Sequence, residues 1–194
     1  MMQVLRGADY RRSSWKNGFG ETAEIAVFPS GAGLNDFDWR VSMAEVTREG
    51  PFSQFPGIDR TLCVLEGELV LKLSESGWIP LNSASQPLLF TADVSCHARL
   101  PAGRVRDFNV MTRRGVWRHA VRRLEVDGAG HIKTHADVVV VFCESGQADV
   151  AAMQQTASLV PLHSAIVSQN ESCDHTISFT GTARLLLAEI FDLG

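Results

Sequence analysis

The sequence predicts an all-β fold of antiparallel sheets, arranged as a sandwich or barrel. Ten short apolar segments run through the 194 residues, and several alternate apolar with polar residues, as half-buried strands do. Turn-forming clusters such as PSGAG (29–33), REGP (48–51) and DGAG (127–130) separate them. Many short strands at this spacing are typical of sandwiches and barrels.

The expected strands carry the apolar runs. They are TAEIAVFP (22–29), DWRVSMAEV (38–46), RTLCVLEG (60–67), ELVLKL (68–73), PLLF (87–90), RDFNVMT (106–112), AVRRLEV (120–126), DVVVVFC (137–143), SAIVS (164–168) and ARLLLAEIF (183–191). One short candidate helix remains, DVAAMQQT (148–155). A weak similarity between residues 67–90 and 146–170 indicates two halves, each with a strand, turn, strand, loop, strand order, as in a duplicated barrel.

Composition excludes several classes of protein. With 45% hydrophobic residues, 21% charged residues and a net charge of −4, the chain is typical of a folded domain. The longest strongly apolar run is VVVVFC (138–143), whereas a membrane helix needs roughly 20 apolar residues. Residues 1–14 lack the apolar stretch of a signal peptide, so we expect a cytoplasmic protein. The four Cys are far apart and are expected to be reduced core residues.

Charge is distributed unevenly along the chain. Residues 1–123 carry a net +3 and residues 124–194 a net −7, and eight Arg lie between residues 99 and 123. Such a cluster could attract nucleic acid, but there is no recognition helix and no pattern of stacking aromatics. We therefore expect neither nucleic acid nor a membrane as partner. The alternative that the basic segment docks an acidic partner, or the acidic half of a second copy in a homodimer, stays open.

The most informative motif is SQFPGIDRTLCVLEGELVLKL (53–73), followed by LPAGRVRDFNVMTRRG (100–115). Together they resemble the two motifs of the cupin family, whose metal-binding members bring three His and one Glu onto one metal ion. Here the Glu position holds Arg60, the third His position holds Arg106, and the first two His positions fall at or near Ser53 and Phe55. Arg is permanently cationic and repels a metal ion.

These replacements predict a pocket for a small anion, with no metal and no cofactor. A carboxylate held by bidentate hydrogen bonds to Arg60 is the simplest ligand. The competing interpretation is that Arg60 and Arg106 only pair with nearby carboxylates, such as Glu66, Asp107 or Asp59, at the surface.

Three longer blocks resemble the HutD/Ves family. They are WKNGFGETAEIAVFP (15–29), FDWRVSMAEVTREGPFSQFPGIDRTLCVLEGEL (37–69) and DFNVMTRRG (107–115). The resemblance implies a metal-free bicupin, two fused jelly-roll barrels: residues 1–115 with the ligand pocket and residues 116–194 as a degenerate second barrel. It also implies a role in bacterial histidine utilisation, limiting pathway flux by sensing an intermediate such as urocanate or formylglutamate.

Strand periodicity restricts which side chains can face the ligand. In DWRVSMA, Arg40 and Ser42 share one face and Trp39 shares the other with Val41, and alternation alone does not say which face is internal. If Arg40 points inward beside Arg60, the pocket has two cations and a hydroxyl, enough for a dicarboxylate.

On the second motif strand, Arg106 and Asn109 cannot both point inward. We favour Asn109, because the motif asparagine aligns there and its amide can donate to a carboxylate. The glycine-rich WKNGFGET bend and the GPFSQFPG segment add further groups near the pocket. The candidate ligand-binding residues are Arg60, Asn109, Arg40, Ser42, Ser53, Phe52, Asn17, Thr22 and Lys16.

An enzyme remains the alternative function. A metal-independent enzyme acting on a related carboxylate would need a titratable group in the pocket, such as Glu21, Asp59 or Glu66. The sequence has no GxSxG motif and no Cys with an evident His partner, so we name no catalytic residue.

Overall fold

The computed structural model describes residues 1–15, 18–74, 77–169 and 174–194. All regular elements in these ranges are β-strands, which confirms the all-β prediction. None of these ranges contains a helix long and apolar enough to cross a membrane. The strands are β1 (Met2–Leu5), β2 (Arg11–Ser14), β3 (Gly20–Phe28), β4 (Trp39–Val46), β5 (Gly50–Phe52), β6 (Ile58–Glu66), β7 (Glu68–Leu73), β8 (Trp78–Asn82), β9 (Leu88–Thr91), β10 (Cys96–Arg99), β11 (Val105–Arg113), β12 (Trp117–Thr134), β13 (Val138–Ala152), β14 (Gln155–Leu159), β15 (Ser164–Ser168) and β16 (His175–Asp192).

The chain divides into two compact units. The first unit is residues 11–117, and the second unit is residues 1–10 together with 118–194. The first ten residues, expected from the sequence to lie with residues 11–115, belong to the second unit because β1 pairs antiparallel with β15. The first unit has twelve Lys or Arg and twelve Asp or Glu, so the whole net charge of −4 resides in the second.

Two antiparallel sheets make up the first unit within the described residues. One runs β2-β3-β4-β11-β6-β9 and the other β5-β10-β7-β8. Alternate residues of β6 and β7, including Leu62, Val64, Leu69 and Leu71, form a core cluster with residues of both sheets. The turn between β6 and β7 requires glycine at position 67, because φ is +87° and a Cβ would lie 2.7 Å from a carbonyl oxygen.

A single sheet, β1-β15-β13-β16-β12 with β14 beside β13, forms the described part of the second unit. The apolar run VVVVFC lies in β13 at its centre, and residues 139–143 are fully buried. A bulge between Cys143 and Ser145 interrupts the pairing of β13 with β16. Bulges bend strands, and both halves of β13 contribute to one core cluster.

The helix expected at residues 148–155 is wrong. Residues 148–152 complete β13, and β14 begins at Gln155 after a turn with positive φ at Met153 and Gln154. Ala148, Val150 and Ala152 are buried alternately, which is the period of a strand. Pairing with β14 on one side and β16 on the other overrides the local helix preference of an Ala- and Gln-rich segment.

Candidate functional site

A belt of polar side chains crosses the inner face of the larger sheet in the first unit. Asn109 on β11 lies opposite Ser42 on β4, and Met111 lies opposite Arg40 on β4 and Arg60 on β6. Because Asn109 and Met111 are two residues apart on one strand, all five side chains share a face. Arg40, rather than Trp39, therefore lies on the face of Arg60 and Asn109.

The same register adds two acids to this face. Glu24 on β3 lies opposite Ser42, and Asp107 lies two residues before Asn109. We call the set Glu24, Arg40, Ser42, Arg60, Asp107 and Asn109 the polar belt. Two apolar clusters of the first unit, one around Leu69 and Leu71 and one around Phe37 and Ile58, take up the other inward positions of these strands.

Arg60, Asn109 and Asp107 form a buried hydrogen-bonded relay. Arg60 donates from Nε at 2.9 Å and from Nη2 at 2.6 Å to Oδ1 of Asn109. Nδ2 of Asn109 in turn donates to Oδ1 of Asp107 at 2.6 Å. Arg60 is only 6% exposed and Asp107 is fully buried. The amide of Asn109 thus links a buried cation to a buried acid.

Asp107 is the unusual member of this relay. Its Oδ2 is buried and has no hydrogen-bond partner. Burial raises the pKa of Asp107 to about 6, against the opposing effects of the Arg60 charge and of hydrogen bonds from Asn109 and the backbone of Ala44. The carboxyl group can therefore exchange a proton close to neutral pH.

Apolar and aromatic groups surround the Arg60 guanidinium. Its Cζ lies 5.1 Å from the ring centre of Phe52 and 5.8 Å from that of Phe90. Burial lowers the pKa of Arg60, an effect that the charge of Asp107 opposes. The thiol of Cys96 lies in the same environment, and burial raises its pKa. The two rings therefore lie within range of a cation–π interaction with the buried guanidinium.

The second cation of the belt already has an acidic partner. Nε of Arg40 donates to Oε2 of Glu24 at 2.8 Å, and Arg11 reaches Oε1 of Glu24 at 3.2 Å. The belt therefore contains two arginines and two acids. For an inward-pointing Arg40 the sequence predicts two cations and a hydroxyl, and the structure adds Glu24 and Asp107, which the sequence does not identify as site residues.

The remaining sequence-predicted residues fall in different places. Phe52 forms a wall of the Arg60 site. The hydroxyl of Thr22 accepts a hydrogen bond of 2.8 Å from the indole of Trp15, and Ser53 is exposed outside the belt. Lys16 and Asn17 lie outside the described residues.

The basic segment between residues 99 and 123 is largely neutralised by ion pairs. Arg106, whose inward position the sequence disfavours, lies on the outer face beside Glu45 and Glu66. Other pairs are Arg104 with Glu45, Arg113 with Asp38, Arg114 with Asp59 and Asp93, Arg122 with Glu189, and Arg123 with Glu144. Arg99 and Arg118 lie over the rings of Trp78 and Phe191.

An open surface cleft of about 740 Å³ lies at the smaller sheet of the first unit. Lys72, His97 and Arg99 line it, and Lys72 and His97 are direct cross-strand neighbours. Phe52 and Cys96 also line it, and both lie beside the buried guanidinium of the belt. Lys72 and Arg99 thus give the cleft two cations against the single acid Glu49, and the cleft lies adjacent to the Arg60 guanidinium.

The described ranges contain no group of three or more His, Cys, Asp or Glu side chains placed to hold a metal ion. At the two cupin-motif positions that would supply a Glu and a His, Arg60 is buried in the belt and Arg106 pairs with surface acids.

Solved structures with little sequence identity share this architecture. Ylba from Escherichia coli matches 97% of the chain, and 90% of its own length is covered, with a TM-score of 0.74 at 10% identity. This likeness places the fold among the cupin-like β-sandwich proteins.

The chain belongs to the HutD family, whose model matches residues 7–187. HutD from Pseudomonas fluorescens SBW25, solved in a formate condition, is 31% identical over the full length of both chains, with a TM-score of 0.86. A conserved protein of unknown function from Pseudomonas aeruginosa PAO1 is 28% identical, covering 99% of this chain and all of its own, with a TM-score of 0.92.

The HutD family is linked to the histidine-utilisation operon region. An uncharacterized 21.2 kDa protein in the hutC 3′ region of Pseudomonas putida is 30% identical over 195 residues, with 97% of each chain covered. These findings confirm the family that the sequence blocks indicate.

Proposed function

We propose that the first unit binds a small carboxylate at Arg60, and that the protein regulates histidine utilisation by sensing a pathway intermediate such as urocanate or formylglutamate. The observation that carries this proposal is the buried guanidinium of Arg60 between two phenylalanine rings. A buried guanidinium is costly to desolvate, and a carboxylate that pairs with it directly would offset that cost.

The guanidinium of Arg60 has N–H groups that can donate hydrogen bonds to a ligand. Two of the five N–H groups of its guanidinium donate to one oxygen of Asn109. The other N–H groups are free to pair with a carboxylate, which is the planar partner that matches a guanidinium best. Phe52 and Phe90 would cover the faces of a flat, conjugated acid such as urocanate.

The cationic cleft supports an entry route to this site. Lys72 and Arg99 would raise the local concentration of an anion before it passes Phe52 and Cys96 to reach Arg60.

Calorimetric titration with formate, urocanate and formylglutamate tests the proposal. Arg60→Met should weaken binding by about 10- to 150-fold, because a hydrogen bond to a charged group contributes about 1.5–3 kcal/mol. Arg106→Met, which removes an arginine from the outer face, is the matched control and should bind as the native protein does. Absence of binding by all three acids, or equal binding by Arg60→Met, would refute the proposal.

A metal-independent enzyme acting on a related carboxylate is the second candidate. It is favoured by Asp107, a buried carboxyl beside Arg60 whose pKa of about 6 suits a general acid or base. Turnover of a bound acid that Asp107→Asn abolishes and chelators leave intact would support it. Binding of the acids without turnover would count against it.

A further inference from the structure

The charge of the polar belt is already balanced before any ligand binds. Arg40 and Arg60 supply two positive charges, and Glu24 and Asp107 supply two negative charges when both are ionised. A carboxylate that joins Arg60 in this buried setting therefore brings an excess negative charge. An uncompensated buried charge is strongly unfavourable, and buried groups generally neutralise by taking up or releasing a proton.

Asp107 is the group best placed to absorb that charge. Its Oδ1 accepts from Asn109, whereas its buried Oδ2 has no partner and can carry a hydrogen. Glu24 is less suitable, since Arg11 and Arg40 occupy both of its oxygens. Burial also places the pKa of Asp107 within two units of neutral pH before the ligand adds its own repulsion.

The other titratable groups near Asp107 do not compete for this role. Arg60 and Arg40 are cations that hold their protons in the neutral range. The thiol of Cys96 on β10 is already protonated, because burial raises its pKa above an already basic value. Asp107 is thus the acceptor that can gain a proton when the anion arrives.

We propose that each carboxylate bound at Arg60 enters together with one proton, which is held on Oδ2 of Asp107. The inference rests on the proposed function, since it concerns the same site. The proton comes from solvent and forms an O–H bond at Asp107, and no bond of the ligand is made or broken. The protein thereby takes up the equivalent of the uncharged acid, and Asp107 makes binding sensitive to pH.

This coupling predicts how affinity changes with pH. With a pKa of about 6, Asp107 is protonated in only about 1% of molecules at pH 8. Affinity for a carboxylate should then fall about tenfold per pH unit above pH 6. At pH 8 it should be about 100-fold weaker than the affinity of the protein in which Asp107 is protonated. Below pH 6 the affinity should level off.

Calorimetry with formate, which carries no hydrogen-bond donor, tests the proton directly. Titrations at pH 8 in Tris and triethanolamine, buffers of different ionisation enthalpy, should show uptake of one proton per formate. Asp107→Asn should show no uptake and bind formate at pH 8 up to about 100-fold more tightly than the native protein. Asp59→Asn changes an acid on β6 that pairs with Arg114 outside the belt, and should retain the native uptake.

The outcomes separate this inference from the proposed function. Formate binding with no proton uptake, or uptake that persists in Asp107→Asn, overturns the role of Asp107 and leaves the carboxylate site standing. Failure of the native protein to bind formate or the other acids overturns the site itself, and the inference with it. If Asp107→Asn does not fold, the affinity of the native protein from pH 5 to 8 decides: a flat profile refutes the coupling.

Discussion

Replacing Asp107 by Asn should change how stability depends on pH. The pKa of this acid is about 6 in the folded protein and 3.8 in an ordinary solvated setting. At pH values between these two pKa values, Asp107 is more often protonated in the folded state than in the unfolded state. The free energy of unfolding therefore falls as pH rises from about 4 to about 6, and stays lower above that.

The size of this effect follows from the shift. A difference of about two pKa units corresponds to about 3 kcal/mol. Asn cannot ionise, so Asp107→Asn should lose this pH dependence while other groups contribute equally to both proteins. The stability of the variant minus that of the native protein should rise by about 2–3 kcal/mol between pH 4 and pH 7. The variant also buries an amide hydrogen without a partner, which costs about 1–3 kcal/mol. This cost is the same at every pH, so it does not affect the change in the stability difference.

Urea unfolding followed by tryptophan fluorescence is the suitable assay. All four Trp of the chain lie in residues 11–117, so their emission reports on the unit that holds Asp107. Glu68→Gln, at an exposed position on β7, is the control and should run parallel to the native protein at every pH. A stability difference between Asp107→Asn and the native protein that is constant from pH 4 to 7 would refute the reasoning.

Three further predictions test other contacts. Arg40→Met should lower the free energy of unfolding in urea titrations by about 3 kcal/mol, because Glu24 loses its buried partner. A loss no larger than the one caused by Arg11→Met, at an exposed partner of Glu24, would contradict this. Gly146→Ala should lower the thermal midpoint by several degrees, at a cost of about 2 kcal/mol or more, since φ is +76° and a Cβ would collide with a carbonyl oxygen of β16; an unchanged midpoint would disprove it. Arg99→Gln should slow formate association about twofold or more at low salt in stopped-flow fluorescence, and an equal deficit at high salt would speak against electrostatic steering.

The shared face of Arg60 and Asn109 could be predicted from the sequence because strand periodicity constrains it. Arg60 and Asn109 come from two separate motifs, and the cupin-like pattern places both on the inner face of adjacent strands. Period two also grouped Arg40 with Ser42, and only pairing with β11 decided that this face is internal. The fold class followed from the same alternation.

Sequence reasoning did not identify the two acids of the belt. The two-residue period of a strand places Asp107 on the face of Asn109. A single Asp within a cluster of eight Arg is, however, typical of a surface counter-ion. The pairing of β3 with β4 shifts by a bulge between Glu24 and Ala26. This shift decides which residue of β3 lies opposite Ser42, and it cannot be located from the sequence pattern. The signal that could have revealed Asp107 is its spacing of two residues from Asn109.

Long-range pairing accounts for the other differences. β1 has only four residues, and its place beside β15 depends on a partner more than 150 positions away. The helix expected at residues 148–155 reflects local preference, which the pairing of β13 with its two neighbours outweighs. Neither partner can be read from a local window of sequence.

The pairing of β1 with β15 also sets an order for folding during synthesis. β1 is translated before its partner, because Ser164–Ser168, the strand it must join, follows some 160 residues later. At about 5–20 residues per second this delay amounts to about 10–30 s. In that interval residues 11–117 can complete both of their sheets, while the amino-terminal strand waits with its backbone unpaired. A nascent chain stalled before residue 164 should therefore carry a folded first unit and an unattached leading strand, which limited proteolysis would detect.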